Sequence, residues 1–252
     1  MLRDKVILIT GGSSGIGLSI AESCMKNNAY VIITGRDKER LQKAKNKLSQ
    51  ISSKITTQCF DISNHHDLKE SINDIYGFAG KIDGLVNNAP SIHSGLIKDL
   101  DLNAWRTNFK ANLDAVFSLL NILLPKMMEA KGGSIVNIAS VVGLKGTAYM
   151  SGYGAAKAGL INLTKSAAIE AAPHVRVNCV IPGAVMTEAL KKAIPSEEMM
   201  DSTVNSIPLK RIANPEEIAE PVVFLLSNKS SFITGAELVI DGGKTADLNA
   251  GN

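Results

Sequence analysis

The 252-residue chain has only three cysteines, Cys24, Cys59 and Cys179, far apart and without paired spacing. That excludes a disulfide framework and a cysteine-built zinc site, and buried free thiols are the expected role. No apolar run approaches the roughly 18 residues of a membrane span, and the opening Met1-Leu2-Arg3-Asp4-Lys5 puts charge where a signal peptide needs an apolar core. Charge of one sign is also missing. Lys and Arg total 27 against 24 Asp and Glu, scattered along the chain, so the net +3 leaves no nucleic-acid or membrane footprint. His65, His66, His93 and His174 show no metal-ligand spacing, so no catalytic metal is expected. With internal repeats and low-complexity tracts absent too, the expectation is a cytoplasmic protein with neither membrane nor nucleic-acid partners.

What is present is a large core and a rhythm. A chain of this length with 45% hydrophobic residues suits one α/β domain over 1–252. Short β-branched runs, predicted as strands at 6–10, 30–34, 55–60, 84–87, 134–139, 176–181 and 237–240, alternate with longer helical patterns. Helices are predicted at 16–27, 39–49, 66–78, 102–129, 153–171 and 215–226. Strands such as Val6-Ile7-Leu8-Ile9 are apolar at consecutive positions, so both faces need covering, which gives a three-layer αβα sandwich around a seven-stranded parallel sheet. The stretch 183–210 breaks the rhythm with Pro195, Pro208 and a methionine-rich patch, and is expected to be a mobile substrate lid. The polar tail from Lys244 to Asn252 is expected to be loose.

Directly after the first strand comes Thr10-Gly11-Gly12-Ser13-Ser14-Gly15-Ile16-Gly17, opening a helix. Glycine lets the backbone approach a pyrophosphate, and the helix N-terminus offers free N–H groups and positive potential to it. Farther on stand Asn87-Asn88-Ala89, Tyr153 with Lys157 four residues later, Pro182-Gly183 and Asp241-Gly242-Gly243. Together these resemble the short-chain dehydrogenase/reductase family over nearly the whole chain, with its 3-oxoacyl-(acyl-carrier-protein) reductase branch the nearest generic match. The resemblance implies a Rossmann-type fold and an oxidoreductase that moves a hydride between a nicotinamide and a carbonyl or alcohol carbon of a small molecule.

The end of the second strand chooses the cofactor, because it borders the adenosine ribose in such a fold. It reads Ile33-Thr34-Gly35-Arg36-Asp37. A guanidinium grips a phosphate through two parallel hydrogen bonds, so Arg36 points to NADP(H); were Asp37 the ribose ligand, NAD(H) would follow. The resemblance further implies a cofactor site of Gly11, Ser13, Ser14, Gly15, Ile16, Gly17, Asp61, Ile62, Asn88, Ala89, Pro182, Gly183, Val185 and Thr187, with Tyr153 and Lys157 reaching the nicotinamide end and Asn87 lining the cleft.

Carbonyl reduction needs a proton donor at the oxygen. Tyr153 and Lys157, at i and i+4, share one helix face, so the ammonium is expected to favour the ionised phenol. Ser140, thirteen positions before Tyr153, is suited to hold the substrate oxygen. The resemblance adds Asn112 as holder of a water that passes protons to the lysine. Tyr149 is expected to wall the substrate pocket. Pro90 stands where the family has glycine after Asn-Asn-Ala, so the loop beside the nicotinamide is expected to differ in shape. The apolar lid residues favour an apolar or mixed substrate. Small residues on the Tyr153 helix, together with the family's habit of pairing its long helices, imply a homotetramer. A dinucleotide-binding sensor without chemistry is the other class; an enoyl reductase usually has its Tyr and Lys more widely spaced.

Overall fold

The computed structural model describes residues 1–247. Seven parallel strands form one sheet: β1 (Val6–Thr10), β2 (Tyr30–Gly35), β3 (Ile55–Cys59), β4 (Gly84–Asn87), β5 (Gly133–Ile138), β6 (Val175–Pro182) and β7 (Glu237–Ile240). Their order is β3-β2-β1-β4-β5-β6-β7, so the chain reverses direction between β1 and β4 and opens a crevice at the strands' carboxyl ends. The expected sandwich is therefore the observed one.

Alternation within strands shows why two helical layers are needed. On β1, Ile7 and Ile9 pack with α1 (Gly15–Lys26) and α9 (Pro215–Leu226). Val6 and Leu8 face the opposite layer, in which α3 (His65–Ala79), α5 (Ala115–Glu129) and α6 (Ser151–Ala171) contribute Leu68, Leu119 and Leu160. Strand side chains have a period of two, so a continuous apolar strand fills both cores at once.

Three expectations are corrected. The predicted helix 102–129 is α4 (Leu102–Phe109), a π-helical turn (Lys110–Asp114) and then α5, with the wide turn carrying Asn112. The stretch 183–210, for which no helix was predicted, contains α7 (Glu188–Ala193) and α8 (Glu197–Asn205), capped by Thr187 and Ser196, whose hydroxyls accept from the backbone of Leu190 and Met199. The tail is ordered as far as Asp247, because Asp241 accepts from the backbone of Gly243 and Thr245 and from the Thr245 hydroxyl. The rest of that expected loose segment, 248–252, lies outside the described residues. Between β2 and β3 lies α2 (Lys38–Leu48).

Candidate active site

The glycine turn is shaped by what crowds it. Gly11 has φ +64°, and a Cβ there would lie 2.8 Å from the Ala89 backbone; a Cβ on Gly17 would meet the Gly11 carbonyl at 2.4 Å. Neither position tolerates a side chain. Asn88 locks the turn to β4 by donating to the carbonyls of Thr10 and Gly11 at 3.0 and 3.2 Å, while its N–H donates to Thr10 Oγ1. Thr187, at the base of the lid, would touch a Cβ on Gly15 at 3.2 Å, so lid and phosphate turn are neighbours.

From this turn a cleft of about 250 Å³ runs past Ser13, Ser14, Arg36, Asp61, Ile62 and Ala89. The residues fit a phosphate-bearing dinucleotide. A backbone cradle stands at one end, and Thr34, one of the lining residues, has a buried hydroxyl with no partner among the described residues. Arg36 is exposed and 3.8 Å from Asp61. Arg40, which sequence reasoning missed as an ordinary helix-surface charge, also lines the cleft. Asp37 is engaged twice, accepting from the Arg40 N–H as the cap of α2 and pairing with Arg40 Nε at 3.2 Å. Phe60 and Lys110 are further unforeseen lining residues.

Other expected cofactor residues sit behind or beside the cleft. Ile16 packs on the α1 core, and Val185 is buried there too, its backbone bridged to Ala213. Pro182 closes β6 and Gly183 donates to the Ile240 carbonyl, so this end of the chain is held to β7. The Asn87 side-chain amide donates to Asn137 within the sheet, and its own oxygen is buried with no partner among the described residues.

The catalytic candidates do converge. Ser140 lies two residues beyond β5 and caps the short 3-10 turn 141–143, with its hydroxyl near enough to act on the Tyr153 phenol. Lys157 is buried, its Nζ 5.6 Å from the Tyr153 ring centroid and donating to the Ile138 carbonyl at 2.7 Å. Burial pushes the Tyr153 phenol up to about 12, with the Ser140 hydrogen bond pulling the other way. Burial likewise lowers Lys157 to about 8. In the protein without cofactor, desolvation of the phenol therefore outweighs that hydrogen bond. Asn112 is buried at the π turn, its amide donating to the carbonyls of Ser91 and Asn108. Tyr149 is exposed, with its carbonyl accepting from the Gly95 N–H.

A glycine turn at a parallel-sheet switch point, followed by a half-buried Ser140 and Tyr153 beside a buried Lys157, defines a dinucleotide-dependent oxidoreductase. Comparison with known proteins gives the family. A family model described as enoyl-(acyl carrier protein) reductase matches residues 11–245. The chain is 40% identical to the 3-oxoacyl-(acyl-carrier-protein) reductase FabG of Aquifex aeolicus, over 96% of this chain and 98% of that one. It is 39% identical to the 7alpha-hydroxysteroid dehydrogenase of Paraclostridium sordellii, over 96% and 92%. The crystal structure of levodione reductase superposes with a TM-score of 0.94 at 30% identity, covering 98% of this chain and 100% of that one. The chain belongs to the short-chain dehydrogenase/reductase family, whose oxidoreductases act on CH–OH or carbonyl groups with a nicotinamide cofactor.

Proposed function

We propose that this protein is an NADP(H)-dependent carbonyl reductase or alcohol dehydrogenase in which Tyr153 is the general acid and base. The observation that carries this reading is the convergence of Ser140, Tyr153 and a buried Lys157, whose Nζ lies 5.6 Å from the Tyr153 ring centroid. The bound nicotinamide supplies or takes the hydride. In reduction, the Tyr153 O–H gives its proton to the substrate oxygen while the Ser140 hydroxyl donates to the charge developing there. Lys157, fixed by the Ile138 carbonyl, supports the phenolate that results. Asn112 is the proposed holder of the water that restores the proton through Lys157.

Three features support NADP(H) over NAD(H): Arg36 is exposed in the cleft, Arg40 stands beside it, and Asp37 is committed to capping α2. Two guanidiniums suit a 2′-phosphate better than a 2′-hydroxyl. The remaining cofactor residues are Gly11, Ser13, Ser14, Gly15, Ile16, Gly17, Asp61, Ile62, Asn88 and Ala89, with Pro182, Gly183, Val185 and Thr187 contributing from the lid side. The four-residue step from Tyr153 to Lys157 favours a carbonyl over an enoyl substrate. The relatives include a 3-oxoacyl-(acyl-carrier-protein) reductase and a hydroxysteroid dehydrogenase, which agrees with an apolar or mixed substrate.

We assign the chain one domain, a cytoplasmic setting suited to its free cysteines, and a homotetrameric state. The tetramer is supported by exposed Phe117 beside a groove between α5 and α6, and by Phe232 near the exposed β7 edge. The test is NADPH oxidation across ketones and 3-oxoacyl thioesters, with NADP⁺ and alcohols as the reverse arm. At least one carbonyl should be reduced. Failure of every class while NADPH still binds would favour the sensor, and equal or better use of NADH would end the NADP(H) assignment.

A further inference from the structure

The loop after β4 carries no regular structure over 90–98, yet its backbone is held as a strand would be. The Ser91 N–H donates to Asn112 Oδ1 at 3.4 Å, and Asn112 Nδ2 donates to the Ser91 carbonyl at 2.6 Å. Two residues on, the pattern repeats: the His93 N–H donates to Asn108 Oδ1 at 3.0 Å, and Asn108 Nδ2 donates to the His93 carbonyl at 2.9 Å. Each side-chain amide turns its oxygen and one of its two N–H groups toward the loop, as a peptide group would, and its second N–H stays within the helix. The spacing also matches. Four helical residues rise about 6 Å, and two extended residues advance about 6.6 Å, so Asn108 and Asn112 stand in register with His93 and Ser91. Asn112 Nδ2 also reaches the Asn108 carbonyl at 2.9 Å, which ties the two rungs together.

Both asparagines are buried, at 0% and 1% exposure. A free amide at such depth is costly, so these groups are placed to be used. Space for the Asn108 rung comes from the helix that carries the proposed acid: a Cβ on Gly152, the residue before Tyr153, would lie 2.8 Å from Asn108 Nδ2. At the other end of the wall, Pro90 and Ser91 line the cofactor cleft.

We propose that Asn108 is a positioning residue which, with Asn112, forms a two-rung amide ladder holding 91–93 as the wall between cofactor cleft and substrate. The Asn112 rung serves the cofactor end and the Asn108 rung the substrate end. Pro90 lacks an N–H and has a fixed φ, so the loop that follows it takes its course from these side chains. This role rests on the oxidoreductase reading, but the ladder itself is measurable without turnover.

The test compares wild type with Asn108→Leu, which keeps the number and branching of the heavy atoms and removes the amide, and with Gly152→Ala, which crowds the amide without deleting it. Backbone hydrogen exchange is followed by mass spectrometry with NADPH present. Loss of one rung should speed exchange over 91–95 about tenfold, with β5 and α6 unchanged. With an active carbonyl, KM should rise about fivefold or more while the NADPH Kd stays within about twofold, as expected when only the substrate side is loosened. A merely structural asparagine would instead speed exchange everywhere and lower kcat through lost folded enzyme at constant KM. Either that pattern or unchanged exchange at 91–95 in both variants overturns the proposal. If no carbonyl oxidises NADPH, the functional reading fails while the exchange result still decides the ladder.

Discussion

The two ends of the cofactor crevice are built on opposite principles. At the adenosine end, charge is exposed and paired with more charge: Arg36 with Asp61, and Arg40 with Asp37. At the catalytic end, polar groups are buried and tied to backbone: Lys157 to the Ile138 carbonyl, Asn112 to Ser91 and Asn108 to His93. Exposed pairs are weak and replaceable, so the adenosine end can change cofactor preference at little cost to the fold. Buried groups are strongly perturbed and held in one geometry, which is what proton transfer needs. The chemistry is therefore fixed where substitution is costly, and selectivity is set where it is cheap.

The hardest strike at the buried end is Tyr153→Phe. It should lower carbonyl reduction by about 10³-fold or more while the NADPH Kd, read by fluorescence titration, stays within about twofold. A loss under tenfold would remove Tyr153 from its assigned role. Lys157→Met should cost about 10²-fold in kcat and yet leave the thermal midpoint equal or higher, because it removes a desolvated ammonium from the interior. A sharply lower midpoint would show that the lysine holds the fold rather than serving the chemistry.

The same lysine gives a pH signature. Its folded value of about 8 lies below the ordinary 10.5, so from about pH 8 upward the unfolded chain binds more protons than the folded one. Stability contributed by this group therefore rises over that interval. Carbonyl reduction should do the reverse, holding steady below pH 8 and falling above it as the ammonium is lost, since the phenol keeps its proton to about 12.

Strand positions were legible in the sequence because most are short runs rich in Val, Ile or Leu between helical patterns, continuously apolar in β1 over 6–9. The glycine turn was legible because its context, strand before and helix after, is local. Ser140, Tyr153 and Lys157 could be named from spacing, yet the direction of the Tyr153 shift could not, because burial depends on how β5, β6 and α6 close together. The lid helices escaped notice since they are only 6 and 9 residues long. Asn108 escaped for a different reason: on an amphipathic helix an asparagine reads as a solvated face, and only the path of the 91–93 backbone reveals its use. Arg40 was hidden similarly among the charges of α2.

At the exposed end, effects should be smaller and confined to the cofactor. Replacing Arg36 and Arg40 together with alanine should weaken NADPH by about 10- to 100-fold and leave NADH within about twofold, measured as paired dissociation constants. Equal losses for both cofactors would mean that the arginines shape the cleft rather than read a phosphate.

The smallest effect should come from Asp61→Asn. Asp61 places a carboxylate 3.8 Å from the Arg36 guanidinium, with side-chain exposures of 39% and 69%, so it partly neutralises the cation proposed to meet the 2′-phosphate. Removing that charge frees Arg36 and also removes repulsion toward the incoming anion. Exposed pairs of this kind carry at most about 1 kcal/mol, so NADPH should bind about two- to fivefold tighter at low salt, with NADH nearly unchanged. Because both groups face solvent, the gain should shrink toward nothing near about 1 M salt, where charges are screened within about 3 Å. A gain that survives high salt, or one shared equally by NADH, would move Asp61 out of the charge network and into direct contact with the adenosine.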